Sequence, residues 1–474
     1  MNKSGIKKFL VDNIVVFLFV FLCIGGFLAS GQTLTFLLAE LATRIARNAL
    51  LVLALIIPVV AGLGLNFGIV LGAIAAQIAI FLTTHWGFIG ITGVIVTAVV
   101  AAPIAIILGY LVGLLFNQMK GTEMVGGLVL GYFAEGFYQF IFLFVFGGLI
   151  PIVNDKLMIS TGIGVKNTID LTDTIKYALD TVPLLTVIEI AFYVSLAVIA
   201  LTIIWKLVKK QKVDWKGTGL SVVFVAAVYA LTYIPSVEAA LGQERLLLLT
   251  VIEYSCVIAV AYNVIKFVYI KFVEKKQPPV KKLVTNLVIT AVVYGITYIP
   301  AVYQATMMVR LPMFTYLCIG GVCLFNNAIL RTKLGQEMRA VGQNRAVANA
   351  AGINVDKVRI IAMIMSTVLA SLGQLVNLQN VGTFSTYGAH TNTATFSIAA
   401  LLVGGASVQK ATNKQAILGI ILFHTMFIVA PLAGNQLFGN AAIGEYFRVF
   451  VSYGVIALAL GMHAWQGKKK TGKK

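Results

Sequence analysis

The sequence predicts an all-α polytopic membrane protein, and three observations carry that prediction. The 474 residues are 59% hydrophobic and only 11% charged, against roughly 25% charged in a soluble domain. Apolar runs of about 20 residues, each long enough to span a hydrocarbon core, recur from one end of the chain to the other. The short alternating segments that build a membrane barrel do not occur in series. In lipid every backbone N–H and C=O must be satisfied internally, so the runs must be helices.

The runs fall near 10–29, 47–63, 66–83, 88–116, 124–150, 182–205, 217–236, 246–272, 283–302, 311–330, 358–379, 395–409, 415–433 and 445–465. These are about 14 hydrophobic segments, of which 12–14 are true spans. The first follows Met1-Asn2-Lys3-Ser4-Gly5-Ile6-Lys7-Lys8 and imitates a secretory leader, but it is too long for a leader's apolar stretch and more spans follow. The second and third are separated only by Gly64-Leu65 and read as a broken hairpin that does not cross fully; the twelfth is short. Fourteen spans put both termini on one side. With the termini in the cytoplasm, 28 of the 36 Lys and Arg fall on the inner side. The remaining 8 are Arg44, Arg47, Lys156, Lys166, Lys176, Arg245, Arg310 and Arg448. That asymmetry fits the positive-inside rule.

The same rule accounts for a formal charge of +19. The basic residues sit in short loops between apolar runs, which is topology and not the footprint of nucleic acid. Cys23, Cys256, Cys318 and Cys323 all lie inside apolar runs, where cysteine behaves as a small hydrophobe.

The chain reads as a single transmembrane domain over 1–474. Residues 151–180 form its longest outer loop, a solvated one carrying Asp155, Asp170, Asp173 and Asp180. The stretch 182–312 reads as an insert holding a 65-residue parallel repeat. Val228-Tyr229 and Thr232-Tyr233-Ile234-Pro235 recur as Val293-Tyr294 and Thr297-Tyr298-Ile299-Pro300, and Arg245-Leu246 recurs as Arg310-Leu311. Ile188-Glu189 recurs as Ile252-Glu253, one residue out of phase. The bland reading is a duplicated hairpin pair that adds bulk.

Asn326–Arg359 is the one long hydrophilic segment on the inner side. Small residues dominate its middle. Ala348, Ala351 and Gly352 would leave one face of a short helix nearly bare, open to close backbone approach. Asn354-Val355-Asp356 then reads as a cap leading into the next span. The segment suits a short helix parallel to the membrane that docks into a partner; the bland alternative is an ordinary re-entry loop.

Gly335, Arg339-Ala340-Val341-Gly342, Asn344 and Ala350-Ala351-Gly352-Ile353 resemble the coupling-loop signature of ABC-importer permeases. The branch is the one containing ribose, galactoside, autoinducer and branched-chain amino-acid permeases. Asn48 to Gln77, with Leu63-Gly64-Leu65-Asn66-Phe67-Gly68 at its centre, resembles that family's glycine-broken second and third spans. Ile398 to Ser407, with Gly404-Gly405-Ala406-Ser407, resembles its late Gly-Gly-Ala/Thr-Ser stretch. The resemblance covers roughly 45–150 and 311–465.

It implies that Gly335, Arg339, Gly342, Asn344, Arg345, Ala351, Gly352 and Ile353 couple this chain, a transmembrane permease domain, to a separate ATP-binding-cassette ATPase subunit. A phosphate-cradling G-x-x-x-x-G-K-[ST] loop is missing from the sequence, and no catalytic constellation is visible. The chain is therefore expected to be no enzyme and to bind no cofactor, the engine being another chain. The resemblance further implies a second permease subunit (homo- or heterodimer), an extracytoplasmic solute-binding protein, and residence in a bacterial cytoplasmic (inner) membrane as a multi-pass protein. The implied solute is small, uncharged and polar: a simple sugar of the galactoside or ribose type, or a nucleoside. The rival from another class is an ion-coupled secondary transporter acting without an ATPase. Replacing Gly342 by a bulky residue is expected to uncouple ATP hydrolysis from uptake while expression stays intact.

Ionisable groups inside spans are functional candidates by default. Glu135, with Tyr138 and Gln139, could hydrogen-bond a hydroxylated solute beside an aromatic platform, or else clamp helices. Gln374 and Asn377 open a neutral polar strip that runs on to His390, Thr391 and Asn392 and suits an uncharged polyol. Asn66 stands where sugar members of the family often carry an acidic residue. His85, His390, His424 and His463 show no metal-ligand spacing, and no metal is expected.

Overall fold

A computed structural model describes residues 13–160, 163–209, 215–272, 277, 279–450, 453–454, 457 and 461. The basic N-terminus, the lysine tail and most of the last apolar run lie outside them. In chain order the helices are α1 (Ile14–Ser30), α2 (Leu34–Leu53), α3 (Ile56–Val60), α4 (Ile69–His85), α5 (Gly90–Gln118), α6 (Glu123–Phe140), α7 (Leu184–Val208), α8 (Trp215–Ala230) and α9 (Pro235–Leu241). There follow α10 (Leu248–Phe272), α11 (Val280–Ile296), α12 (Pro300–Met308), α13 (Met313–Arg331), α14 (Lys333–Gln343), α15 (Arg345–Ala350), α16 (Val355–Val381), α17 (Thr393–Val403) and α18 (Asn413–Phe438). Among the described residues eight helices are long and apolar enough to cross a membrane, or ten if each of two bent pairs is one span. The chain is an α-helical multi-pass membrane protein. It folds as two compact units, one of residues 1–33, 40–179 and 317–474, the other of 34–39 and 180–316.

The first unit is built around α16, which packs on α4 and α5. Gly109 and Gly113, one turn apart on α5, meet Ile364 and Ile360, one turn apart on α16. A Cβ at either glycine would lie 2.8 or 2.9 Å from the facing Cα. Small residues four apart allow such backbone approach, the main source of helix attraction where apolar burial gives none.

The expected break at Gly64-Leu65 is present, between α3 and α4, but the helix that leads into it begins earlier than expected. The helix starts at Leu34 and not near 47, so Arg44 and Arg47 lie within α2 and not in a loop. They are tolerated because they are partnered: Arg47 Nε donates to Asn380 Oδ1 at 2.5 Å, and Arg44 Nε lies 3.9 Å from Glu40 Oε2. After α3 the chain leaves the helix through Gly62 and Gly64, both at φ +74°. A broken helix frees carbonyls that must be satisfied inside the protein. Asn326 Nδ2 donates to Leu53 O at 3.2 Å, Ser366 Oγ to Ala54 O at 2.9 Å and Arg345 Nη2 to Gly62 O at 2.9 Å.

The 151–180 segment is more than a solvated loop. Asp155, Asp170 and Asp173 are exposed, but Leu157, Val165, Ile169, Leu171 and Ile175 are buried beneath them. Strand β1 (Thr168–Asp170) pairs antiparallel with β4 (Thr383–Ser385), with Ile169 opposite Phe384. Thr386 Oγ1 donates to Lys166 O at 2.6 Å and Tyr387 OH to Val165 O at 2.9 Å. The Thr172 hydroxyl and amide, donating to Asp170 Oδ1 at 2.6 and 2.9 Å, hold that carboxyl below its usual range.

The second unit shows why the repeated Thr-Tyr-Ile-Pro matters. A residue before proline is pushed out of the helical region, and Ile234 and Ile299 are extended at ψ 123° and 124°. The chain bends by 87° between 217–233 and 235–241, and by 84° between α11 and α12. Thr232 and Thr297 each donate a hydroxyl back to a carbonyl one turn earlier at 2.6 Å. The repeat extends further than the sequence comparison reached: Leu-Leu-Thr-Val-Ile-Glu opens both α7 (184–189) and α10 (248–253). Strands β2 (Leu246–Leu247) and β3 (Arg310–Leu311) pair antiparallel with Leu246 opposite Leu311, its own repeat counterpart. Asp180, expected in solvent, is buried here: Thr315 Oγ1 donates to its Oδ1 at 2.6 Å and Arg245 Nη2 lies 3.8 Å from Oδ2.

Candidate functional site

The hydrophilic segment Asn326–Arg359 folds as a helical hairpin of the first unit. Three side chains cap three successive helix starts. Thr332 Oγ1 accepts from Gly335 N at 3.3 Å, Asn344 Oδ1 from Val347 N at 3.1 Å and Asn354 Oδ1 from Lys357 N at 3.0 Å. Gly335, Met338 and Val341 form the buried face of α14.

The glycines here are seats. A Cβ on Gly342 would overlap the carbonyl oxygen of Val60, and one on Gly62 would lie 2.6 Å from Gly342 Cα. Gly335 sits equally close on the backbone of Ile329 and Leu330. Gly335, Gly342, Asn344 and Arg345 therefore hold the hairpin in place. The surface it presents is different: Arg339, Ala346, Val347, Ala350, Ala351 and Gly352 are exposed, Val347 at 64%, and Ile353 is half-buried. Ala348, expected on the bare face, is buried, while Ala351 and Gly352 are exposed. Arg339, Gly342 and Gln343 line a cavity of 670 Å³ together with Asn327, Lys410 and Asn413.

Beneath the hairpin lies a buried ionic cluster. Glu123 Oε1 is 2.7 Å from Arg345 Nη2 and 2.5 Å from Arg359 Nη2, and its Oε2 accepts from Gly121 N at 3.0 Å. Arg359 Nη2 also donates to Phe116 O at 3.0 Å. The Arg359 side chain is fully buried, and its Nε and Nη1 have no partner among the described residues.

Inside the helical body, Gln374 and Asn377 come together at one cavity of 240 Å³, along with Asn48, Asn392, Ser397 and His424. Asn377 Nδ2 donates to Asn48 Oδ1 at 3.3 Å and Gln374 Nε2 to Ala389 O at 3.1 Å. Phe396 forms an apolar wall, and the described lining contains no Asp, Glu, Lys or Arg. His424 is 5% exposed and its Nδ1 has no hydrogen-bond partner among the described residues. An orphaned polar atom of that kind on a cavity wall is placed to meet a ligand or an ordered water.

The remaining sequence candidates lie elsewhere. Glu135 faces a second cavity, of 310 Å³, with Tyr132, Thr391 and Thr395, and Gln139 Nε2 lies 3.4 Å from its Oε1. Tyr138 points away from both, its ring 4.2 Å from Phe142 and 5.0 Å from His390. Asn66 is buried against Ser366, Nδ2 to Oγ 3.2 Å, and braces the broken helix without reaching the 240 Å³ cavity.

The family described as "Branched-chain amino acid transport system / permease component" matches residues 215–460, just over half of the chain. The chain belongs to that family. The match takes in the hairpin and Gly404–Ser407, while the likeness expected over 45–150 lies outside it. Among curated relatives, this permease-family chain is 27% identical over 139 residues to the xylose transport system permease protein of Haemophilus influenzae, covering 29% of the chain and 35% of the relative. It is 30% identical over 129 residues to the ribose import permease protein of Escherichia coli K12, covering 27% of the chain and 38% of the relative. The alignments thus span little more than a third of each relative's length. No solved structure matches.

Sequence reasoning gave no site role to Asn48, Glu123, Arg359 or His424. Asn48 and His424 sit in apolar runs with no motif to mark them. Glu123 and Arg359 offered a signal: opposite charges at span ends assigned to the same face.

Proposed function

We propose that the chain is the membrane permease subunit of an ATP-binding-cassette importer for a small uncharged polar solute, a simple sugar. The observation that carries this reading is the uncharged cavity around Gln374, Asn377 and His424 in a chain of this family. A branched-chain amino acid would bring a carboxylate and an ammonium into a lining with no opposite charge to meet either. A hydroxylated solute finds amides, a serine, a ring nitrogen and an aromatic wall. Its size suits a monosaccharide better than a nucleoside: an apolar cavity of about 150 Å³ takes benzene, and by that ratio 240 Å³ takes about ten non-hydrogen atoms. The relatives named for xylose and ribose point the same way.

In this reading fourteen segments cross or enter a bacterial inner membrane, with both termini in the cytoplasm. The hairpin faces the cytoplasm and docks an ATPase subunit through Arg339, Val347, Ala351 and Gly352. A second permease subunit completes the path, and a solute-binding protein delivers to the side bearing residues 151–180. ATP is hydrolysed on the partner chain.

The test is uptake of labelled D-ribose, D-xylose and L-leucine into vesicles containing the chain, its ATPase and its binding protein. A pentose should accumulate with ATP and leucine should not. Losing one hydrogen bond to a buried group costs about 1–3 kcal/mol, so His424→Ala should cut uptake about fivefold or more. His424→Asn, which keeps a polar atom near Nδ1, should retain most of it. Leucine accumulation would reject the solute class, and undiminished uptake without the ATPase would favour an ion-coupled carrier.

A further inference from the structure

We propose that Glu123 is a shared latch through which movement of the hairpin reaches the two helices that line the cavities. This rests on the reading of Asn326–Arg359 as the ATPase-docking segment, and adds the route by which docking acts.

The connectivity is specific. Arg345 is the first residue of α15, Glu123 the first of α6, and Arg359 lies in the second turn of α16. Helix α6 carries Glu135 to its cavity, and α16 carries Gln374 and Asn377 to theirs. One carboxylate oxygen, Glu123 Oε1, accepts from both arginines at 2.7 and 2.5 Å. Arg345 also donates to Gly62 O at 2.9 Å, so the same guanidinium touches the broken helix after α3. Displacing α15 therefore breaks contacts to two other elements at once. None of the three residues touches the 240 Å³ cavity, so all are positioning residues.

The charge arithmetic makes the arrangement poised to switch. Two guanidinium groups on one carboxylate leave an excess positive charge, and two nitrogens of the fully buried Arg359 have no partner among the described residues. Half-satisfied buried networks are costly. Were Arg345 to withdraw, Glu123 and Arg359 would remain as an exclusive ion pair, with Glu123 Oε2 still accepting from Gly121 N. Arg345 would lose little, because its side chain is 31% exposed and can be hydrated. The cluster thus has two accessible arrangements: a shared one with Arg345 engaged, and an exclusive Glu123–Arg359 pair. An element with two discrete packings is what converts a small push at one site into a rearrangement at another. Around it, Lys120 and Asp356 form a second, exposed pair at 3.9 Å, and Asn117 Nδ2 donates to Asp356 O at 3.0 Å, tying α5 to the start of α16.

The experiment is hydrogen exchange read by mass spectrometry on the chain assembled with its ATPase subunit, without nucleotide and then with ATP and orthovanadate. In the wild type, ATP–vanadate should change exchange in α15 and in the first turns of α6 and α16 together. In Arg345→Gln the change should persist in α15 but fall to less than a third at α6 and α16. Arg345→Lys, which restores a cation, should recover most of the transmitted change. Arg345→Gln leaves Glu123 paired with Arg359, so it is expected to fold; a thermal melt within a few degrees of wild type verifies that, and Arg345→Lys supplies the comparison if it does not. Full transmission to α6 and α16 in a folded Arg345→Gln protein overturns the latch while leaving docking intact. If the wild-type α14–α15 amides gain no protection when the ATPase is added, docking itself is wrong, and the latch falls with it.

Discussion

Glu123→Ala is expected to destabilise the protein by about 3–5 kcal/mol, the usual result of removing one partner from a buried ion pair. Arg359 would be left fully buried without its carboxylate, with Phe116 O still accepting from it. Thermal unfolding in detergent, with folded yield as a second readout, should show the loss. Glu123→Gln should fall between wild type and Ala, since it keeps an acceptor but not the charge. The revealing variant is Glu123→Leu combined with Arg359→Met. Replacing both members by apolar side chains is often close to neutral, so the double variant should regain much of what Glu123→Ala loses. A cost under about 1 kcal/mol for Glu123→Ala, typical of an exposed pair, would contradict the burial of this cluster.

The second large effect concerns Gly342. The sequence alone suggests a bulky residue there would uncouple the transporter and spare the fold. The packing argues otherwise. A Cβ at Gly342 meets the Val60 carbonyl, a backbone atom that cannot swing aside, and Gly62 packs back onto Gly342. Gly342→Leu should therefore unseat the hairpin and reduce folded yield severalfold, before any question of coupling arises. Val347→Asp is the separating variant. Val347 is 64% exposed at the tip of α15, so an aspartate there should leave the melting temperature within about 2 °C of wild type. It should nevertheless weaken capture of the ATPase subunit at least tenfold in a pull-down. Unchanged capture by a folded Val347→Asp protein would remove the α15 tip from the docking surface.

Much of the architecture was legible because lipid leaves so few options. Once charge is scarce and apolar runs recur, helices follow, and the break at Gly64-Leu65 can be read from its glycine, whereas the bends at Pro235 and Pro300 fall inside runs that read as continuous. What the sequence could not give was pairing across distance. Arg44 and Arg47 look like loop markers until Glu40 and Asn380 stand beside them. Asp180 looks solvated until Thr315 and Arg245 enclose it. The apolar residues of 151–180 are too irregularly spaced to announce a buried underside.

The hairpin shows the same division. A short helix in this segment, its cap at Asn354 and its small residues were readable; the cap at Asn344 was not. Which side of α15 faces outward depended on how Gly342 and Arg345 anchor it, so Ala348 was assigned to the wrong face. Of the polar candidates, Gln374 and Asn377 converge because they lie one turn apart on one helix. Glu135, Tyr138 and Gln139 share a helix too, yet Tyr138 packs into an aromatic cluster with Phe142 and His390. Asn66 packs against Ser366 and His424 lines the 240 Å³ cavity, since burial and partners place them and neither is written in local sequence.

The pairing of Leu246 with Leu311 carries a consequence about ancestry. An antiparallel contact between equivalent residues is isologous, the form of contact two identical molecules make across a dyad. A lone unit of this repeat would expose one such edge and could satisfy it only by meeting another copy. Joining two units in one polypeptide makes that encounter intramolecular and raises the effective concentration of each edge for the other. The second unit is in this sense a fused homodimer, and its self-complementary edge is consumed within the chain.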